Sequence, residues 1–179
     1  MHEGWPQHSV GGVRYLGCAF GSAMPDDPCL EITQLLQAGV TKPHPDQAAS
    51  ATWLAMVYAS TRAVGGVVTT SVEEPMTGRN HYRVGVRLRD GRPMSILFNA
   101  AAFLVAGAER QDLHIVNAVF IDVPGGEIYR RAALQLATTA ELNQPLEERH
   151  LNLLTEEERQ DVAYHQPSRL GDLLFNWFD

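Results

Sequence analysis

Five arginines and a single aspartate fall within RNHYRVGVRLRDGR, residues 79–92, of a chain whose formal net charge is −7. An extended strand turns successive side chains to opposite faces. Arg83, Arg87 and Arg89 then share one face with His81, while Tyr82, Val84, Val86 and Leu88 share the other. On such a strand Arg87 and Arg89 stand about 7 Å apart and Arg83 about 13 Å from Arg87. Guanidinium forks grip carboxylates and phosphates bidentately. The row therefore suits a small acidic ligand or the acidic surface of a partner protein. The same spacing also fits the solvated face of an antiparallel hairpin whose arginines blunt a sheet edge, or pair with the chain's own Glu156 and Glu157.

A second set of residues has acid–base character. His81 lies in the arginine strand, and His114 and Asn117 lie in LHIVNAVFIDV, Leu113–Val123. His114 and Asp122 point the same way on that strand but are eight residues apart, too far at about 3.4 Å per residue to form a dyad. Asn117 falls among Ile115, Val119 and Ile121, where a polar group must find hydrogen-bond partners. Together with the arginines, these residues would be the polar groups of a small apolar cavity.

Other signatures are missing. The sequence holds no phosphate loop, GxGxxG, GxSxG, HExxH or paired CxxC motif. Its seven histidines show no ligand spacing, and Cys18 and Cys29 are eleven positions apart with no histidine near in sequence. No metal and no cofactor is expected. Pro124-Gly125-Gly126 reads as a tight turn rather than an anion cradle, because Glu127 would repel an anion there.

The third chemically suggestive stretch is the end of the chain, LGDLLFNWFD. Leu170, Leu173, Leu174 and Trp177 recur at i, i+3, i+4 and i+7, and Phe175 and Phe178 widen the apolar arc. Most of this helix is expected to pack under the chain's own sheet. Trp177 and Phe178 are the residues expected to reach a partner or a second copy, since aromatic side chains make good interface anchors.

The elements that would position these residues have their own signals. Asp27, Pro28, Glu31 and Gly39 punctuate a first helix, and Asp46–Arg62, closed by Gly65-Gly66, a second. A possible edge strand is expected over Val13–Phe20, and residues 1–12 are expected to form a flexible N-terminus. VVTTSV, the arginine strand, the turn DGRP, MSILFN and Leu113–Val123 supply strands, the last apolar enough to be central. Residues 127–140 read as either helix or strand, with composition favouring helix. Thr155–Glu158 is a capping box with an acidic first turn, and Ser168 is placed to cap the last helix.

The sequence thus predicts a single α+β domain over 1–179, an antiparallel β-meander of four to five strands packed by two N-terminal helices and by C-terminal helices. The absence of a long apolar run or a secretory leader points to a cytoplasmic protein that neither spans a membrane nor, with one basic stripe on an acidic chain, binds nucleic acid in general. The functional expectation is a non-catalytic binding protein, of immunity-protein or adaptor type, that recognises a protein partner or a second copy of itself. The alternative is a small α+β enzyme or ligand-binding protein with a pocket between the sheet and the N-terminal helices.

Overall fold

A computed structural model describes residues 31–109 and 118–178. The N-terminus 1–12, the expected strand Val13–Phe20, the cap at Asp27–Pro28, both cysteines, His114 and Asn117 lie outside the described residues. Within them the architecture is mixed α+β, one sheet of six strands with five α-helices.

The first long helix, α1, spans Gln47–Ala63. The Asp46 side chain accepts from the Ala49 amide at 2.9 Å, and the alanine-rich body carries Trp53 and Val57 at i, i+4, both fully buried. Strand β1, Val67–Val68, follows directly and pairs antiparallel with β2, Tyr82–Arg87. A turn through Asp90-Gly91 leads to β3, Pro93–Asn99, with Tyr82 opposite Phe98 and Arg87 opposite Pro93. Strand β4, Leu104–Glu109, pairs antiparallel with β3. The far edge of β4 is divided: β5, Phe120–Ile121, runs antiparallel to its second half, and β6, Gln135–Leu136, runs parallel to its start. This parallel strand departs from a simple meander.

Alternation on β2 and β3 separates two cores. Tyr82, Val84, Val86, Met94, Ile96 and Phe98 face α1 around Trp53, whose ring stacks on Phe98 at 5.5 Å. Leu97, Leu104, Ala106, Ala108 and Phe120 face the opposite layer. That layer holds a 3-10 turn, Ile32–Leu35, and the helices α3 (Thr139–Leu142), α4 (Glu156–His165) and α5 (Leu170–Leu174). Burial of each large apolar side chain in these two cores contributes roughly 1.5–3 kcal/mol. Helix α5 lies so close to the sheet that a Cβ on Gly171 would overlap the Phe120 ring.

Several expectations are corrected. The described part of the first helix is the 3-10 turn Ile32–Leu35 instead of an α-helix, and it does not reach Gly39, which sits at φ +90° in a turn. VVTTSV forms a strand only over Val67–Val68, because the chain bulges at Thr70–Val72 before bridging Glu73 to Arg83. Among the described residues strand β5 is not central: it pairs there with β4 alone and through two positions. Residues 127–140 are neither one helix nor one strand. Helix α2, Gly126–Arg130, starts from Gly125 at φ +69°, and the chain leaves it through Ala133 at φ +57° to place β6 on the free edge of β4. Ser168 does not cap α5, whose N-cap is Arg169 without a side-chain cap bond. The helix ends at Leu174, so Trp177 is off its apolar stripe, while Phe175, expected at the side, is 3% exposed.

Candidate functional site

The arginine row divides when folded. Arg83 is drawn into the structure. Its Nη2 donates to Glu73 Oε2 at 2.7 Å and its Nε to Oε1 at 3.2 Å. The same Oε2 accepts from Arg79 Nη1 at 2.8 Å, and Arg79 Nη2 donates to the Glu74 carbonyl. Both guanidiniums lie over the Trp177 ring, Arg79 at 5.2 Å and Arg83 at 5.8 Å from its centroid. Burial pushes the Glu73 carboxyl up, but the hydrogen bonds and charges of Arg83 and Arg79 outweigh it and leave it below the ordinary value. Glu73 was not marked by the sequence, because the bulge that carries it back beside Arg83 has no strand periodicity.

Arg87 and Arg89 remain exposed, and among the described residues neither is ion-paired. The stem of Arg89 lies along Gly65 at the end of α1. It borders an open groove of about 500 Å³ with Val64, Leu88, Asp90 and Pro124. Three elements build this groove: the C-terminus of α1, the β2–β3 turn, and the loop after β5. Its walls are mainly apolar, with the arginine and aspartate as the charged groups. Val64 escaped sequence reasoning and Pro124 entered it only as part of a turn, because the fold alone brings the two to one groove.

The expected Glu156 and Glu157 partners are engaged elsewhere. Glu156 pairs with Arg159 at 2.7 Å and Glu157 with Lys42 at 2.7 Å.

His81 is 2% exposed on the sheet face opposite α1, edge-on to Phe175 at 5.7 Å, with Nδ1 3.2 Å from Asn80 Oδ1. Burial, and after it the charges of Arg79 and Arg83, press its pKa down to about 3. A pocket between the sheet and α1 therefore cannot use His81. Around it three buried asparagines close the fold. Asn80 and Asn99 both donate to the Val40 and Leu174 carbonyls, and Asn176 donates to the Thr41 carbonyl. Asp122, on β5's continuation, accepts from the Thr139 amide and hydroxyl at 2.8 Å, which holds its carboxyl below the ordinary value.

Trp177 and Phe178 are both half-buried. Trp177 bridges to the Arg79 backbone under the two guanidiniums, and Phe178 stacks flat on His165 at 4.6 Å. Among the described residues no group of three metal-ligating side chains converges, and no helix is long and apolar enough to cross a membrane. Comparison of the chain with protein-family models, curated proteins and solved structures returns no match.

Proposed function

We propose that this chain is a cytoplasmic binding protein, of the immunity or adaptor kind, that recognises another protein through the groove beside Arg89. The observation that carries this is the pairing of an open, largely apolar groove with two exposed arginines, Arg87 and Arg89, that have no carboxylate partner among the described residues. An apolar floor rimmed by unpaired charge fits a partner segment that presents an apolar side chain next to an acidic one. Desolvated apolar contact supplies affinity, and complementary charge supplies register and encounter rate. Arg83 plays no direct part, since Glu73 and Trp177 occupy it. Trp177 and Phe178 serve the interior of the chain more than a partner.

The test uses the full chain, immobilised at low salt in lysate of its own host, with native mass spectrometry of what it retains. A stoichiometric protein companion is expected, weakened about tenfold or more by the double change Arg87→Glu and Arg89→Glu. The charge reversal Arg149→Glu, in a different cleft, is expected to leave it in place. Equal retention by the Arg87/Arg89 variant, or loss in the Arg149 variant alone, overturns the assignment.

A further inference from the structure

The groove fits an apolar side chain beside an acidic one, and the chain carries such a surface on its other layer. Helix α4 turns Glu156, Glu157, Gln160, Ala163 and Tyr164 to solvent. Their spacing of three and four residues makes them one stripe along the helix. Tyr164, 81% exposed, is a large aromatic side chain left in water, and Asp161 stands one turn before it. Lys42 pairs with Glu157 and Asp161, and Arg159 with Glu156. Three carboxylates against two cations leave this surface acidic. The Glu156 and Glu157 side chains are still 72% and 76% exposed, and pairs so open to water are worth only about 0–1 kcal/mol. They hold the carboxylates too weakly to keep them from a second cation.

The groove has the opposite sign. Arg62, in the last turn of α1 and two residues before Val64, is exposed like Arg87 and Arg89. None of the three is ion-paired among the described residues. The carboxylate in the groove's described lining, Asp90, is itself paired with Arg92 at 3.6 Å. One chain cannot join these two surfaces within itself. Leu88 and α1 belong to the core around Trp53, whereas Val162 of α4 belongs to the opposite core, with the sheet between them. The match can be made only between two copies, the groove of one on α4 of the next, which is a heterologous contact.

We propose that the groove beside Arg89 docks α4 of a second copy of this chain, with Tyr164 entering against Val64, Leu88 and Pro124 and the α4 carboxylates meeting Arg62, Arg87 and Arg89. The inference rests on the groove being a docking surface, as proposed above, and adds a regulation: a groove held by another copy is closed to any other partner until that partner displaces it. Exposed charges attract through a field that salt screens, so the association is strongest at low salt.

Sedimentation velocity of the full chain over a range of concentrations, at low salt and at about 0.5 M salt, tests this. The weight-average sedimentation coefficient is expected to rise with concentration at low salt and to stay at the monomer value at high salt. Tyr164→Ser is expected to weaken association by about tenfold or more. The pair Arg87→Glu with Arg89→Glu, and separately the pair Glu156→Lys with Glu157→Lys, are expected to do the same. An equimolar mixture of these two charge-reversed proteins is expected to associate again, because each then finds surfaces of opposite charge on the other, which a misfolded variant could not offer. No concentration dependence at low salt, unchanged association in Tyr164→Ser, or a mixture that stays monomeric would each overturn the inference. Tyr164→Ser leaves Arg87 and Arg89 in place and so separates this inference from the reading it rests on. A companion protein retained by a wild-type chain that does not self-associate overturns the self-docking alone. Self-association lost in Tyr164→Ser, with no companion retained by either protein, overturns only the recognition of another protein.

Discussion

His81 shows how a residue placed correctly by pattern can still be misjudged in role. Period-2 alternation put it with Arg83 and Arg87, and it does point to that face. The pattern implied a wet face, yet here the face is roofed by Phe175 and by Trp177 under Arg79 and Arg83, so His81 is buried beside two positive charges. The roof comes from the last residues of the chain, and nothing local to β2 announces it. The consequence is measurable. The folded state holds the His81 pKa at about 3, against 6.5 for an ordinary histidine. As pH falls below 6.5 the unfolded chain takes up the proton and the folded chain does not. This contribution to stability is whole above pH 6.5 and drains away down to pH 3, at up to about 1.4 kcal/mol per pH unit. Urea midpoints of the wild type between pH 6.5 and 4.5 should fall with that slope, and His81→Gln should flatten it while lowering stability at pH 7. A variant that keeps the wild-type slope would place the acid sensitivity on another group.

At the scale of elements, what the sequence announced depended on how local the signal was. Helix α1 carries its cap, its body and its glycine stop within twenty residues and forms as expected. The Thr155–Glu158 box also forms, with both reciprocal bonds in place. Its other half was invisible, because it lies more than a hundred residues away. The fully buried Glu158 carboxylate also accepts from the Gly39 amide at 3.0 Å, the Thr41 amide at 3.0 Å and the Thr41 hydroxyl at 2.8 Å. One side chain thus caps α4 and staples the loop after the 3-10 turn to it. Burial raises its pKa, but the donations from Thr155, Gly39 and Thr41 outweigh that and hold it below the ordinary value. Stability from this staple is therefore full above the ordinary carboxyl range and lost as pH drops through the lowered value, below most of the His81 window. Glu158→Gln turns an amide donor toward N–H groups and should cost about 2–4 kcal/mol. Thr155→Ala should cost only about 1 kcal/mol, the worth of a cap. Amide hydrogen exchange separates the two roles: Gly39 and Thr41 should lose protection in the Glu158 variant and keep it in the Thr155 variant. Equal exchange in both would reduce Glu158 to a cap. By contrast, the stretch 127–140 gave no decision because its fate is tertiary. Ala133 accepts a left-handed φ so that Gln135–Leu136 can satisfy the open edge of β4, and no propensity encodes that edge.

Across the whole molecule, one sheet is shared by two cores, and that sharing decides how the chain should unfold. Val84, Ile96 and Phe98 serve the α1 side, while the intervening Leu97 and, on β4, Leu104 and Ala106 serve the side of α5. Neither side can come apart without exposing strands that the other needs, because β2, β3 and β4 are paired along their full lengths. The apolar C-terminal stretch answers the same demand: Leu170, Leu173, Leu174 and Phe175 close the second face. A truncation in each core tests this coupling. Val57→Ala in α1 and Leu173→Ala in α5 remove fully buried side-chain volume from opposite faces. The leucine change should cost about 2–5 kcal/mol, and the valine change somewhat less. Both should lower one and the same calorimetric transition, with the calorimetric and van't Hoff enthalpies equal in each variant, since the shared strands couple the two faces. Should Leu173→Ala split off an early transition and leave the Val57 side melting at its original temperature, the two layers would be separate cooperative units and the sheet would bind them less tightly than its pairing implies.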